Sequence, residues 1–184
     1  MLMAPQPTRY DVKFPLLGIP VRIHPAFWLV TVFLGWQPKD LGATLTWVLC
    51  VLVSILVHEF GHALTARRFG GRDLEVILHS LGGLAVSTGL NRRRDRIWMI
   101  LMGPGSGLIL GGLVYGLSVG LAYGQPTPVS NRYLDLAISF MIFINLFWSL
   151  VNLLPIFPLD GGQLAQLLLT ARRPDGGLAL AYRI

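Results

Sequence analysis

The chain has 184 residues, 53% of them from the hydrophobic set AVILMFWYC and only 13% charged, with a formal net charge of +6. Soluble domains carry about 25% charged residues, so this is membrane composition; it excludes a disordered chain and a collagen-like repeat, and the single cysteine, Cys50, excludes a disulfide scaffold. The positive balance comes from scarce carboxylates, seven Asp and two Glu, rather than from a basic domain.

Residues 1–24 are interrupted by Pro5, Pro7, Pro15 and Pro20 and hold no continuous apolar core, so no cleavable signal peptide is expected. Ile19, Val21 and Ile23 alternate with period two, the pattern of a strand. Four apolar segments follow along the chain: Pro25 to Trp36, Ala43 to Ala66, Ile97 to Tyr123 and Leu134 to Leu154. A helix needs about 20 residues to cross a hydrocarbon core of about 30 Å. The last three are long enough, and the first is short. Between the second and third, Leu74, Val76 and Leu78 alternate again and lead through Gly82-Gly83 into Leu84 to Thr88, a hairpin signal. Open strand edges cannot face lipid, so both alternating stretches predict a small sheet at the cytoplasmic membrane surface. The expected fold class is an all-α polytopic membrane protein of about four transmembrane helices with a small cytoplasmic-side β-sheet. No repeat or linker divides the chain, and residues 1–184 read as a single transmembrane domain. It ends at Tyr182-Arg183-Ile184 soon after an apolar start, an end that fits truncation at the C-terminus.

If all four segments span, thirteen Lys and Arg residues fall on one side, and only Lys39 and Arg132 on the other. The positive-inside rule then puts both termini and the loop from Arg67 to Arg96 in the cytoplasm, of a bacterial inner membrane. Arg92, Arg93, Arg94 and Arg96 read as a headgroup-facing helix flank, with membrane lipid rather than nucleic acid as the partner.

The second helix contains His58-Glu59-Phe60-Gly61-His62, the pattern H-E-x-x-H. Positions i and i+4 share a helix face, so two imidazoles can converge on Zn²⁺, and Glu59 can reach a water on the metal as general base. Two histidines leave such a site one protein ligand short. Asp160 is a carboxylate at membrane depth, just after Pro155 and Pro158 break the fourth segment, and Gly161 and Gly162 allow close backbone approach. The other readings of Asp160 are an N-cap for a helix over 162–170, with His24 or His79 as the third ligand instead. Asn152 either donates a hydrogen bond into the same cavity or satisfies backbone freed by Pro155.

These residues resemble the site-2 protease family of intramembrane zinc metalloproteases. The likeness rests on His58-Glu59-Phe60-Gly61-His62 and on Asn152, Pro155, Pro158, Leu159, Asp160 and Gly161, and covers roughly residues 19–171. It implies a three-helix catalytic core, Zn²⁺ held by His58, His62 and Asp160, Glu59 as general base and Asn152 as the active-site asparagine. It further implies hydrolysis of transmembrane segments of other membrane proteins. Gly103-Pro104-Gly105-Ser106-Gly107 is similar to a Gly-Pro element of the family that often ends in Asn, where Gly107 stands here; its small residues read as a close helix-packing face. An unwound substrate needs a strand partner, and the edge formed by Gly82, Gly83, Leu84, Ala85 and Val86 could accept it. With His58 in the cytoplasmic half of its helix, cutting is expected near the cytoplasmic face. The alternative from another class is a zinc transporter or metal-sensing membrane protein. It would not require a carboxylate directly after the first His, and a through-pathway would need more polar residues than Thr44, Thr46 and Ser54 on the outer side.

Overall fold

Leu17 and Gly18 both take positive φ, 51° and 74°, and turn the chain between β1 (Val12–Leu16) and β2 (Ile19–Ile23). A two-residue turn with both φ positive matches the right-handed twist of a hairpin. β1 escapes the sequence reading because Pro15 interrupts its pattern and Leu17, rather than Asn or Asp, occupies the first turn position. The computed structural model describes residues 5–80, 82–124 and 131–172.

The remaining elements are α1 (Pro25–Leu34), α2 (Leu41–Arg68), β3 (Arg72–His79), β4 (Gly82–Thr88), α3 (Arg93–Gly124), α4 (Arg132–Asn152) and α5 (Asp160–Arg172). The strands form one sheet in the order β1-β2-β3-β4. β2 pairs with β3 in parallel, Val21 opposite Val76, so α1 and α2 together make the crossover. β3 pairs with β4 antiparallel, Leu78 opposite Gly83 and Val76 opposite Ala85, which leaves β4 at the edge. Ile19, Val21 and Ile23 are buried as their alternation predicts, and Val76 and Leu78 are fully buried. Arg22, on the other face of β2, is also buried: its guanidinium lies 3.2 Å from Asp11 and 3.3 Å from Glu75 and donates to the Pro5 carbonyl. The hairpin is as expected, but Gly82 and Gly83 stand inside β4 rather than making the turn.

Among the described residues, three helical stretches are long and apolar enough to cross a membrane: Leu41–Arg68, Arg93–Leu121 and Arg132–Asn152. α1 is not a fourth. Its 10 residues extend about 15 Å, and that is all the connection requires, since it starts at the sheet and ends against the first turns of α2. The His24 N–H donates to the Leu78 carbonyl at its start. At its end the Trp47 indole donates to the Thr31 carbonyl at 3.1 Å and the Gln37 N–H to the Thr44 hydroxyl at 2.9 Å.

α2 packs against α3, α4, β3 and β4. Its Gly61 meets the Met102 carbonyl and Ser106 of α3, and Ser106 donates to the Val57 carbonyl at 3.0 Å. Gly107 and Gly111 of α3 in turn meet Ser149 and Asn145 of α4, so the Gly-Pro element is a packing face as expected. A Cβ at Gly107 would lie 2.3 Å from the Ser149 hydroxyl, which leaves no space there for an Asn. At the end of α2 away from the sheet, Asp40 caps the helix through the Ala43 N–H and pairs with Arg132 at 2.6 Å. The basic N-terminal strands and the β3–β4 hairpin therefore share one end of the bundle, and Arg132 marks the other. Arg173 and Arg183 lie outside the described residues.

Candidate metal centre

His58 and His62 sit one turn apart on α2, both buried. α4 ends at Asn152, the chain turns through Pro155 and Pro158, and α5 begins at Asp160. The turn is tight enough that a Cβ on Gly161 would lie 2.2 Å from the Leu153 carbonyl oxygen, and one on Gly162 2.5 Å from that of Ile156. Both glycines are therefore required by space, and they let α5 start directly beneath α4 with the Asp160 carboxylate turned to α2.

One Asp160 oxygen lies 3.1 Å from His58 Nε2 and 3.3 Å from His62 Nε2, and the two imidazole nitrogens are 3.3 Å apart. A tetrahedral Zn²⁺ with bonds of about 2.0–2.1 Å has ligand–ligand edges of about 3.3–3.4 Å. The triangle of donor atoms thus already fits one face of such a tetrahedron, and its chemistry, two neutral imidazoles and a carboxylate, is that of a catalytic zinc with an open position. The Nδ1 of His62 lies 2.7 Å from the Met99 carbonyl. That contact fixes the proton on Nδ1 and leaves Nε2 free to bind metal, the usual outer support of a ligating histidine. A Cβ on Gly103 would stand 2.1 Å from His62 Nε2, so this glycine of α3 makes room for the ring. Among the described residues these three form the only group of His, Cys, Asp or Glu able to hold a metal ion together.

The triangle opens into a cleft of about 110 Å³ that Glu59, His79, Gly83, Leu84, Ala85, Trp148, Asn152 and Gln163 also line. Glu59 is buried, with the Ala85 backbone N–H close to its carboxylate. Asn152 is at the cleft, but its amide donates to the Trp148 carbonyl of its own helix at 2.9 Å rather than to backbone freed by Pro155. Of the five strand residues expected to meet substrate, Gly83, Leu84 and Ala85 line the cleft; Gly82 and Val86 flank it. His24 is elsewhere: it caps α1, accepting from the Ala26 N–H at Nδ1. His79 reaches the cleft wall without joining the triangle, and burial, with His24 and Arg22 nearby, lowers its pKa. Trp148 and Gln163 carry no sequence signal of their own. Trp148 stands four residues before Asn152, and that helical spacing could have found it.

A profile of Peptidase family M50 matches residues 46–131 and 119–179, which include the whole triangle. The Stage IV sporulation protein FB of Bacillus subtilis is 32% identical over 160 residues, covering 86% of this chain and 50% of that protein. A zinc metalloprotease of Methanocaldococcus jannaschii is 27% identical over 174 residues, covering 89% of this chain and 47% of that protein. The chain spans about half the length of the curated relatives it matches. The solved site-2 protease from Methanocaldococcus jannaschii shares the fold, with a TM-score of 0.66 at 21% identity over 89% of this chain and 74% of that one. With the profile running across both halves of the metal triangle, the chain belongs to peptidase family M50, the site-2 protease family.

Proposed function

We propose that the chain is a single catalytic domain of an intramembrane zinc metalloprotease, which hydrolyses peptide bonds in transmembrane segments of membrane proteins near the cytoplasmic face. The observation that carries this reading is the buried triangle of His58, His62 and Asp160 opening onto a cleft that also holds Glu59. A transporter would have no use for that carboxylate beside the triangle, and the relatives above lend the transporter reading no support.

In this reading His58, His62 and Asp160 hold the zinc. When bound, the ion acts as a Lewis acid that polarises a peptide carbonyl and lowers the pKa of water towards about 7. Glu59 takes the proton of the attacking water and returns it to the leaving amine. Asn152 offers its amide N–H to the carbonyl oxygen as charge develops there. A transmembrane peptide bond is shielded by its own helix, so the substrate must unwind, and the open edge of β4 over residues 82–86 gives the extended segment a partner. The sheet and the long basic stretch lie at one end of the bundle, which supports a cytoplasmic product and cytoplasmic termini in a bacterial inner membrane.

Zinc analysis of the purified protein, together with cleavage of a model transmembrane substrate in lipid vesicles, tests the proposal. Glu59→Gln should keep zinc and lose at least about 10²-fold in rate, the scale of a removed general base. Zinc loss in that variant, or cleavage at the wild-type rate, would refute the assignment of Glu59 as base.

A further inference from the structure

Gly83 stands in β4 without any need for glycine's backbone freedom, since the positive-φ glycines are Gly18, Gly70, Gly82 and Gly89. What it lacks is room. A Cβ at Gly83 would lie 2.2 Å from Glu59 Cγ, 2.3 Å from Oε1 and 2.4 Å from Cδ, so the Glu59 side chain rests directly on the Gly83 backbone. Two residues on, the Ala85 N–H lies close to the same carboxylate. In a strand, residues i and i+2 face the same way, so one stretch of β4 backs the Glu59 side chain. Neighbouring Gly82 meets the Trp148 ring of α4, 2.8 Å from where a Cβ would be. β4 is thereby held between α2 and α4 at this level.

We infer that the backbone of β4 at Gly83 and Ala85 positions the general base, in addition to any part this edge takes in receiving substrate. The inference rests on the proposed role of Glu59. A glutamate has three rotatable bonds, and a general base must lie within hydrogen-bond reach of the proton it takes. Main chain is a stiffer support than another side chain, and this stretch is anchored well: Gly83 and Ala85 pair with Leu78 and Val76, both 0% exposed. Gly83 and Ala85 are thus positioning residues acting through Glu59, and any side chain at 83 must push the carboxylate aside.

A substrate-contact role alone predicts a different result, and a double-mutant cycle separates the two. Gly83→Ala should lower kcat by about 10²-fold, as a misplacement of about 1 Å does, with KM and zinc content unchanged. It should also lower the Tm of the wild-type protein, and that loss should vanish in the Glu59→Ala background, where nothing remains for the new methyl group to strike. An equal Tm loss in both backgrounds, or a raised KM at unchanged kcat, overturns the inference. The thermal cycle needs no substrate: if the wild-type protein cleaves nothing, the protease reading fails while the cycle still decides the contact between Gly83 and Glu59.

Discussion

Asp160 is 102 residues from His58 in sequence and 3.1 Å from it in space. Only two ligands can come from α2, so removing this carboxylate should cost more than any other single change outside that helix. Asp160→Ala is expected to lose zinc, measured by metal analysis and chelator competition, together with activity. His24→Ala should keep zinc and lose only an N-cap, worth about 1 kcal/mol in thermal unfolding. Full zinc in the first variant, or zinc loss in the second, would reverse the ligand set. His58 and His62 were readable because helix periodicity makes spacing equal to geometry. Asp160 was readable because it stood almost alone as a carboxylate at membrane depth. The close approaches of Gly83 to Glu59 and of Gly103 to His62 were not, since they depend on what another element brings within 3 Å, and no local pattern records that.

At the scale of elements, apolar length located α2, α3 and α4 to within a few residues, whereas α1 shows where length misleads. Its apolar run extended to Trp36, yet the helix stops at Leu34 with Gly35 as its C-cap, where the Trp47 indole, 1.9 Å from where a Cβ would stand, leaves room for glycine alone. β1 was hidden by Pro15. The α3–α4 contact carries a test of the departure at Gly107. Gly107→Asn, the residue common at that place in the Gly-Pro element, should overpack against Ser149 and cost about 1–3 kcal/mol in unfolding experiments. Ser149→Ala should recover most of that loss, because it removes the hydroxyl that the new Cβ strikes. No cost in the single variant, or no recovery in the double, would show that the helices adjust around this contact.

For the molecule as a whole, the sheet gathers the N-terminal strands and the β3–β4 hairpin at one end of the bundle, and the pair Asp40–Arg132 marks the opposite end. Cysteine introduced at Arg94 should react with a membrane-impermeant thiol reagent only from the cytoplasmic side, and cysteine at Lys39 only from outside. Cys50 is buried and gives little background. The reverse pattern would invert the topology and the side of product release. The order of the chain adds a consequence in time. β2 is made before α1 and α2 but pairs with β3 only after both, and the metal triangle closes only with Asp160. At a synthesis rate of about 5–20 residues per second, the 102 residues separating Asp160 from His58 take about 5–20 s to make. Throughout that interval the nascent chain carries the histidine pair without the carboxylate that completes the triangle.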